Sequence, residues 1–259
     1  MNKKVLFYDI ETSFCKGHFW RPGYNQAIHP HQITDHAKII SIHWSWLGSD
    51  EVHNLDWGLD KQCDKKMLKK FIKILDSADE VVTHNGKRFD TPWLRTRAVF
   101  HNLPFKHTHN EIDTYKIAKK YLNLPSYSLK NVCDYYGLEA KKDAGGIDTW
   151  VNVIYHKDQK ALDHLLYYGD GDIISLKEVY KKMQPYIAPN MHYGVKNGQE
   201  RFHCPRCGSM SNWNKTYTTR QGTIQHYMKC RDKHCQTYFK INNKSYQDFL
   251  QYKLVNTIK

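Results

Sequence analysis

Residues 5–10 read VLFYDI, a short apolar run that passes straight into Asp9-Ile10-Glu11. A run of this length with β-prone and aromatic residues reads as a central, buried strand. Successive side chains of a strand point to opposite faces, so Asp9 and Glu11 share one face while Ile10 packs the other way. A chain that ends a buried strand with two carboxylates on one face must either release them to water or give them something positive to hold.

Two carboxylates side by side repel, and one tends to take a proton. A divalent cation removes that conflict, and oxygen ligands from Asp and Glu suit Mg²⁺ or Mn²⁺. A lone D-x-E also fits a strand end that simply reaches water, so the choice rests on what accompanies it. In VVTHNGKRFDTPWL a β-rich run leads through Asn85, Lys87 and Arg88 to Asp90 at a helix start. Alone, Asp90 reads as a helix N-terminal acid favoured by the dipole. In HLLYYGDGDIISL, Tyr168 and Asp172 lie four apart and share one face of a helix. Gly169 and Gly171 are costly there, at about 1 kcal/mol each against Ala. Close approach to the backbone would explain them, as would a helix break or a loop. Asp170 competes with Asp172 as a ligand. A calcium loop lacks its later Glu.

The remaining pattern is that of an α/β chain with a mixed sheet. Strands are expected at 39–46, 51–57, 80–84 and 111–113, and helices at 61–77, 91–101, 114–122 and 129–136, with a long one from Asp158 to about 185. Ser126 or Ser128 caps the helix at 129, and Gly137 ends it. Residues 12–38, rich in His, Pro and aromatics, read as a long loop, and 141–146 as a polar one. In the first, His18, His29, His31 and His36 read as plain surface, while Phe19, Trp20 and Tyr24 either stack bases or fold back on the core. Asp113 reads as a cap.

Taken together, Asp9-x-Glu11, Asp90 and Tyr168-x-x-x-Asp172, in this order and these contexts, resemble the DEDD superfamily of 3′–5′ exonucleases, to which polymerase proofreading domains belong. Tyr168 matches its tyrosine branch. The resemblance spans about residues 3–185. It implies a ribonuclease H-like fold, a mixed sheet flanked by helices, and a two-metal-ion hydrolysis of phosphodiester bonds from a 3′ end. It further implies two Mg²⁺ or Mn²⁺ ions held by Asp9, Glu11, Asp90 and Asp172, with Tyr168 orienting the attacking water. Nearby, Asn85, Lys87 and Arg88 read either as contacts to the terminal nucleotide and its phosphates or as a solvated loop. Rival readings are a non-catalytic nucleic-acid-binding protein and a structure-specific endonuclease.

The C-terminal part asks for a different metal. Cys204-x-x-Cys207-Gly and Cys230-x₄-Cys235 form two knuckles, a pattern that resembles a zinc ribbon with one structural Zn²⁺. A small unit with little apolar content needs such a metal to fold. Net charge is +13, and residues 191–259 carry twelve Lys and Arg against three Asp and Glu. That concentration suits a polyanion; Lys215, Arg220 and Lys229, interleaved with aromatics, are candidate nucleic-acid contacts. The expected organisation is an exonuclease domain at 1–188, a linker at 189–199 and a zinc-ribbon module at 200–259. DNA is the expected substrate before RNA, with a replication or repair protein as a further partner. With neither an apolar run of membrane-spanning length nor an export signal, the expected location is cytoplasmic.

Overall fold

The structure, a computed structural model, describes residues 3–21, 27–105, 110–138, 145–187 and 192–257. It divides into two units, Lys4–Tyr186 and Ile187–Lys259. In chain order the first unit holds β1 (Val5–Thr12), β2 (Lys16–Gly17), β3 (Ile33–Asp35), β4 (Ile39–Trp46), β5 (His53–Asp56), α1 (Lys65–Asp76), β6 (Glu80–Thr83), α2 (Asp90–Phe100), β7 (Asn110–Asp113), α3 (Thr114–Tyr121), α4 (Leu129–Tyr136), α5 (Gly146–Val151) and α6 (Gln159–Met183). The second holds α7 (Tyr193–Lys196), β8 (Ser211–Thr218), β9 (Ile224–Cys230), β10 (Tyr238–Asn242) and α8 (Asn243–Thr257).

The larger sheet has five strands in the order β5-β4-β1-β6-β7. β4 pairs antiparallel with β1 and β5, while β6 pairs parallel with β1 and β7. β1 is therefore central, as its apolar run requires, and helices cover both faces. Adjacent residues of β1 show this directly. The Phe7 ring meets Tyr180 of α6 at 5.2 Å, and the Tyr8 ring meets Phe71 of α1 at 5.5 Å. The fold is thus the ribonuclease H-like mixed α/β arrangement expected from the sequence.

The α1–α2 side is fastened by a buried ion cluster. Asp64, fully buried just before α1, accepts from Arg97 Nε at 2.6 Å and Nη2 at 2.9 Å, from the Ile39 amide at 3.2 Å, and contacts His101 Nε2 at 2.6 Å. Burial alone would raise its carboxyl pKa, but the hydrogen bonds from Arg97 and His101 outweigh it and hold the group below the usual range. A depressed folded pKa means that this stabilisation is present above about pH 4 and is lost as pH falls through the folded value. Removing one partner of such a buried cluster costs about 3–5 kcal/mol. Asp64→Ala is accordingly expected to lower the thermal midpoint by roughly 10 °C, measured by calorimetry; a shift below about 2 °C would show that Arg97 finds another acceptor.

Several elements differ from expectation. The stretch 12–38 is not all loop: β2 and β3 pair, with the His18 amide donating to Gln32 O at 2.9 Å. A pair this short leaves no periodic signal. A Cβ on Gly17 would lie 2.7 Å from Gln32 O, so a side chain there would block the pairing. α1 starts four residues later than its apolar pattern suggests, because Gln62 turns with positive φ, donating to Gly58 O at 2.7 Å. Within the expected linker, residues 193–196 form α7, capped by His192, whose Nδ1 accepts from the Val195 amide at 3.2 Å. Residues 141–144 of the expected polar loop, and 189–191 of the linker, lie outside the described residues.

Candidate metal centres

β1 pairs with β6 only from Val5 to Phe7, so the later residues of β1 lie beyond that edge of the sheet. Asp9 and Glu11 sit on this free stretch, half-buried, on the face covered by α6. Asp172 of α6, 3% exposed, comes to them from more than 160 residues away. One oxygen from each of the three carboxylates lies within 4.8 Å of the others. Three hard oxygen donors at that spacing fit a divalent cation and would repel one another without one.

Asp90 stands outside this group. It begins α2, is 2% exposed, and its Oδ1 accepts the Ile10 amide at 3.1 Å, the β1 donor that β6 has left unpaired. Burial pushes its carboxyl well above the usual range, and the charge of Asp9 pushes it further. Asp9 is thus its strongest charged neighbour, and Asp90 adjoins the acid group without joining it. Asn85, Lys87 and Arg88 lie on the turn that leads into Asp90, the latter two exposed. Asp113 is the N-cap of α3 and also accepts the Asn85 amide at 2.9 Å.

α6 is one unbroken helix through Tyr168, Gly169, Asp170, Gly171 and Asp172, so neither a break nor a loop accounts for the glycines. Gly169 is explained by His43 of β4. A Cβ on Gly169 would lie 2.6 Å from the His43 Cε1 and closer still to its Nε2. His43 is fully buried, contacts Asp170 Oδ1 through Nδ1 at 2.8 Å, and meets the Ser41 hydroxyl through Nε2 at 2.8 Å. Asp170 and the Ser41 hydroxyl thus occupy the two nitrogens of the ring. Asn54 Nδ2 donates to Asp170 at 2.9 Å. Asp170 is therefore spent on β4 and β5, while Asp172 turns to the acid pair. The Ser41–His43–Asp170 chain has the order of a hydrolytic triad, but Ser41 is fully buried and no substrate reaches it. The chain anchors α6 instead. In register, His43 pairs with Asp9 and Ser41 with Glu11, so this anchor adjoins both acids.

These anchoring residues escaped the sequence reading. IISIHWSW alternates apolar and polar residues, yet seven of its eight residues are buried. The signal was present as polar residues at every second position of an otherwise apolar central strand. In an unobstructed helix Gly→Ala stabilises by about 1 kcal/mol. Gly169→Ala is instead expected to destabilise by about 1–3 kcal/mol through overpacking. Adding His43→Ala should recover part of that loss. Urea midpoints of the two single variants and the double variant read the coupling; strict additivity would refute the contact.

Tyr168 is 8% exposed and lies one turn before Asp172. Of the loop aromatics, Phe19 and Trp20 are exposed and Tyr24 lies outside the described residues. Among the described residues the loop histidines enter no cluster of metal donors.

The four cysteines of the second unit converge as well. Their sulfurs lie within 4.8 Å of one another, with Cys204 to Cys235 at 3.7 Å and Cys207 to Cys230 at 3.5 Å. Four thiolates at about 2.3 Å from a central ion stand roughly 3.8 Å apart, so the set fits a tetrahedral metal. Gly208, at φ +78°, makes the turn after the first knuckle. The Asp232 carboxylate shapes the second by accepting the His234 and Cys235 amides at 2.9 and 2.8 Å. Lys215 and Lys229 lie on β8 and β9, and Arg220 is exposed in the turn between them.

Comparison with known proteins agrees with the fold. The chain is 26% identical over 152 residues to a DNA polymerase of Pyrococcus glycovorans, covering 50% of this chain and 18% of that one. It is 29% identical over 113 residues to a DNA polymerase of Methanocaldococcus jannaschii, covering 34% of this chain and 7% of that one. The family B DNA polymerase structure from Pyrobaculum calidifontis superposes with a TM-score of 0.54 at 17% identity, over 71% of this chain and 25% of that one. The chain thus spans under a fifth of the length of these two curated relatives. Residues 34–184, which include Asp90 and Asp172 and begin after Asp9 and Glu11, match the RNase H superfamily profile, and over that core the chain belongs to the RNase H superfamily.

Proposed function

We propose that this chain is a metal-dependent nuclease of the DEDD group, tyrosine branch, that removes nucleotides from the 3′ end of nucleic acid. Single-stranded DNA is the preferred substrate. The observation that carries the reading is the meeting of Asp9, Glu11 and Asp172 within 4.8 Å on a ribonuclease H-like sheet. The partial likeness to two DNA polymerases supports it. Among the described residues no helix is long and apolar enough to cross a membrane, and we assign the activity to the cytoplasm.

In this reading Asp9, Glu11 and Asp172 would hold one Mg²⁺ or Mn²⁺, and Asp90, beside Asp9, would help to hold a second. Such a pair, when bound, neutralises charge on the scissile phosphate and makes water a better nucleophile. Tyr168 orients that water through its hydroxyl. A phenol hydroxyl donates and accepts hydrogen bonds but is a poor base, so it positions rather than deprotonates. Lys87 and Arg88, on an exposed turn, meet the phosphates near the 3′ end, and Asn85 the terminal nucleotide. Residues 1–188 form the exonuclease domain. Residues 200–259 form a zinc ribbon whose Cys204, Cys207, Cys230 and Cys235 hold one structural Zn²⁺. Through Lys215, Arg220 and Lys229 it serves as a substrate grip or as a dock for a replication or repair protein.

The test is incubation of 5′- and 3′-labelled single-stranded DNA and RNA with Mg²⁺, Mn²⁺ or EDTA. The expected result is stepwise shortening of the 5′-labelled strand, release of the 3′ label as mononucleotide, and no reaction in EDTA. A blocked 3′ end should stall the reaction. Internal cleavage of blocked strands would favour an endonuclease, and binding without cleavage a non-catalytic protein.

A further inference from the structure

We infer that the open face of the β8–β9–β10 sheet is a platform for unpaired nucleotides, so the second unit grips single-stranded nucleic acid rather than docking a protein. The inference rests on the proposed function only for the class of ligand.

The sheet order is β10-β9-β8. Its inner face sends Met228, Phe239 and Ile241 into a core with Phe249 of α8. Register then fixes the outer face. Tyr238 pairs with Lys229, Lys240 with Tyr227, and Tyr227 in turn with Lys215. Tyr217 pairs with Gln225 in the next outward row. The outer grid of three rows by three strands therefore holds three lysines, three tyrosines and otherwise only side-chain amides. It carries no aliphatic side chain, and the three strands contain no Asp or Glu.

Lysines and tyrosines lie interleaved. Lys229 sits 5.3 Å from the Tyr238 ring centre, Lys215 5.3 Å from Tyr227, and Lys240 5.1 Å from Tyr227 and 5.6 Å from Tyr217. Tyr238 is 54% and Tyr217 40% exposed. A protein-docking face would offer an apolar centre for burial; this one offers flat rings and cations. Rings stack on base faces and lysines meet phosphates. A duplex hides its base faces, so the arrangement selects unpaired strands. The grid measures about 13 Å along the strands and about 10 Å across them, room for a few nucleotides. Two further aromatics of these strands do not belong to the platform: Phe239 is buried, and Trp213, opposite Met228, is on the other face.

The test uses the full chain carrying Asp172→Asn, which spares the probe, and anisotropy of labelled twelve-nucleotide oligo-dT, oligo-U and a duplex. Single strands should bind at least about tenfold more tightly than duplex. Tyr227→Ala and Tyr238→Ala should each weaken single-strand binding about tenfold. Replacing Lys215, Lys229 and Lys240 by Gln should lower the slope of log affinity against log salt by about two. Lys244→Gln on α8, a single Lys-to-Gln change off the sheet face, should leave affinity within about twofold. Comparison of oligo-dT with oligo-U tells which strand is preferred. Unchanged binding in the tyrosine variants, or equal affinity for duplex, overturns the platform. Sheet-dependent binding without hydrolysis by the wild type would instead overturn the nuclease reading alone. Hydrolysis with sheet-independent binding would overturn the platform alone.

Discussion

Asp172→Asn is expected to lower the proposed 3′-end hydrolysis by more than about 100-fold, since loss of a group merely supporting a metal ligand already costs about 10–100-fold. The substitution keeps shape, so packing on the buried face of α6 survives. It also removes one of three carboxylates that crowd within 4.8 Å, relieving like-charge repulsion. Stability in metal-free buffer should therefore be unchanged or higher while activity collapses. Added Mn²⁺ at 100 times its dissociation constant should stabilise the wild type by about 2.7 kcal/mol and the variant far less. Thermal midpoints with and without Mn²⁺ measure this independently of turnover. A variant that keeps both full hydrolysis and the full Mn²⁺ shift would remove Asp172 from the site. Tyr168→Phe keeps all the carboxylates, so its Mn²⁺ shift should persist while the rate falls by about tenfold; an unchanged rate would remove the hydroxyl from the reaction.

How far the sequence foretold this arrangement depends on the range of each interaction. The face shared by Asp9 and Glu11 follows from strand alternation alone. Ser128 as cap and Gly137 as left-handed terminus of α4 are equally local. So is the placing of Tyr168 and Asp172 one turn apart. What local pattern cannot supply is the partner. Gly169 was visibly anomalous, but nothing in its neighbourhood names His43, 126 residues earlier. Asp64 gave no signal, because its worth lies in Arg97 of α2 and in His101 just past its end. Asp90 was legible as an acid at a helix start, yet its engagement by the Ile10 amide follows from where β6 stops pairing with β1. The two open explanations for Asp170 and Asp172 were separated only by β4 and β5, which claim Asp170.

Removing the Zn²⁺ proposed for the four cysteines is expected to unfold Ile187–Lys259 and leave Lys4–Tyr186 folded. The second unit has a small core, in which Phe202, Met228, Phe239, Ile241 and Phe249 are the main buried apolar side chains. A core of that size supplies no more than about 3–5 kcal/mol. Metal binding to such thiolate sets contributes about 10–16 kcal/mol at neutral pH in small zinc domains, so the ion decides the balance. The sulfurs span both knuckles: Cys204 and Cys207 precede β8, Cys230 ends β9, and Cys235 lies before β10. Loss of the ion thus releases every strand of that sheet. Hydrogen exchange read by mass spectrometry separates the two units. A strong chelator, or Cys207→Ser with Cys230→Ser, should erase protection in β8, β9 and β10 while β1, β4 and α6 stay protected. Acid should act in the same direction, since the ligands must be deprotonated to bind. One Zn²⁺ per chain should be released in step with the loss of protection. Full protection of β9 in the metal-free chain would mean that the small core suffices and that the cysteines are mere thiols.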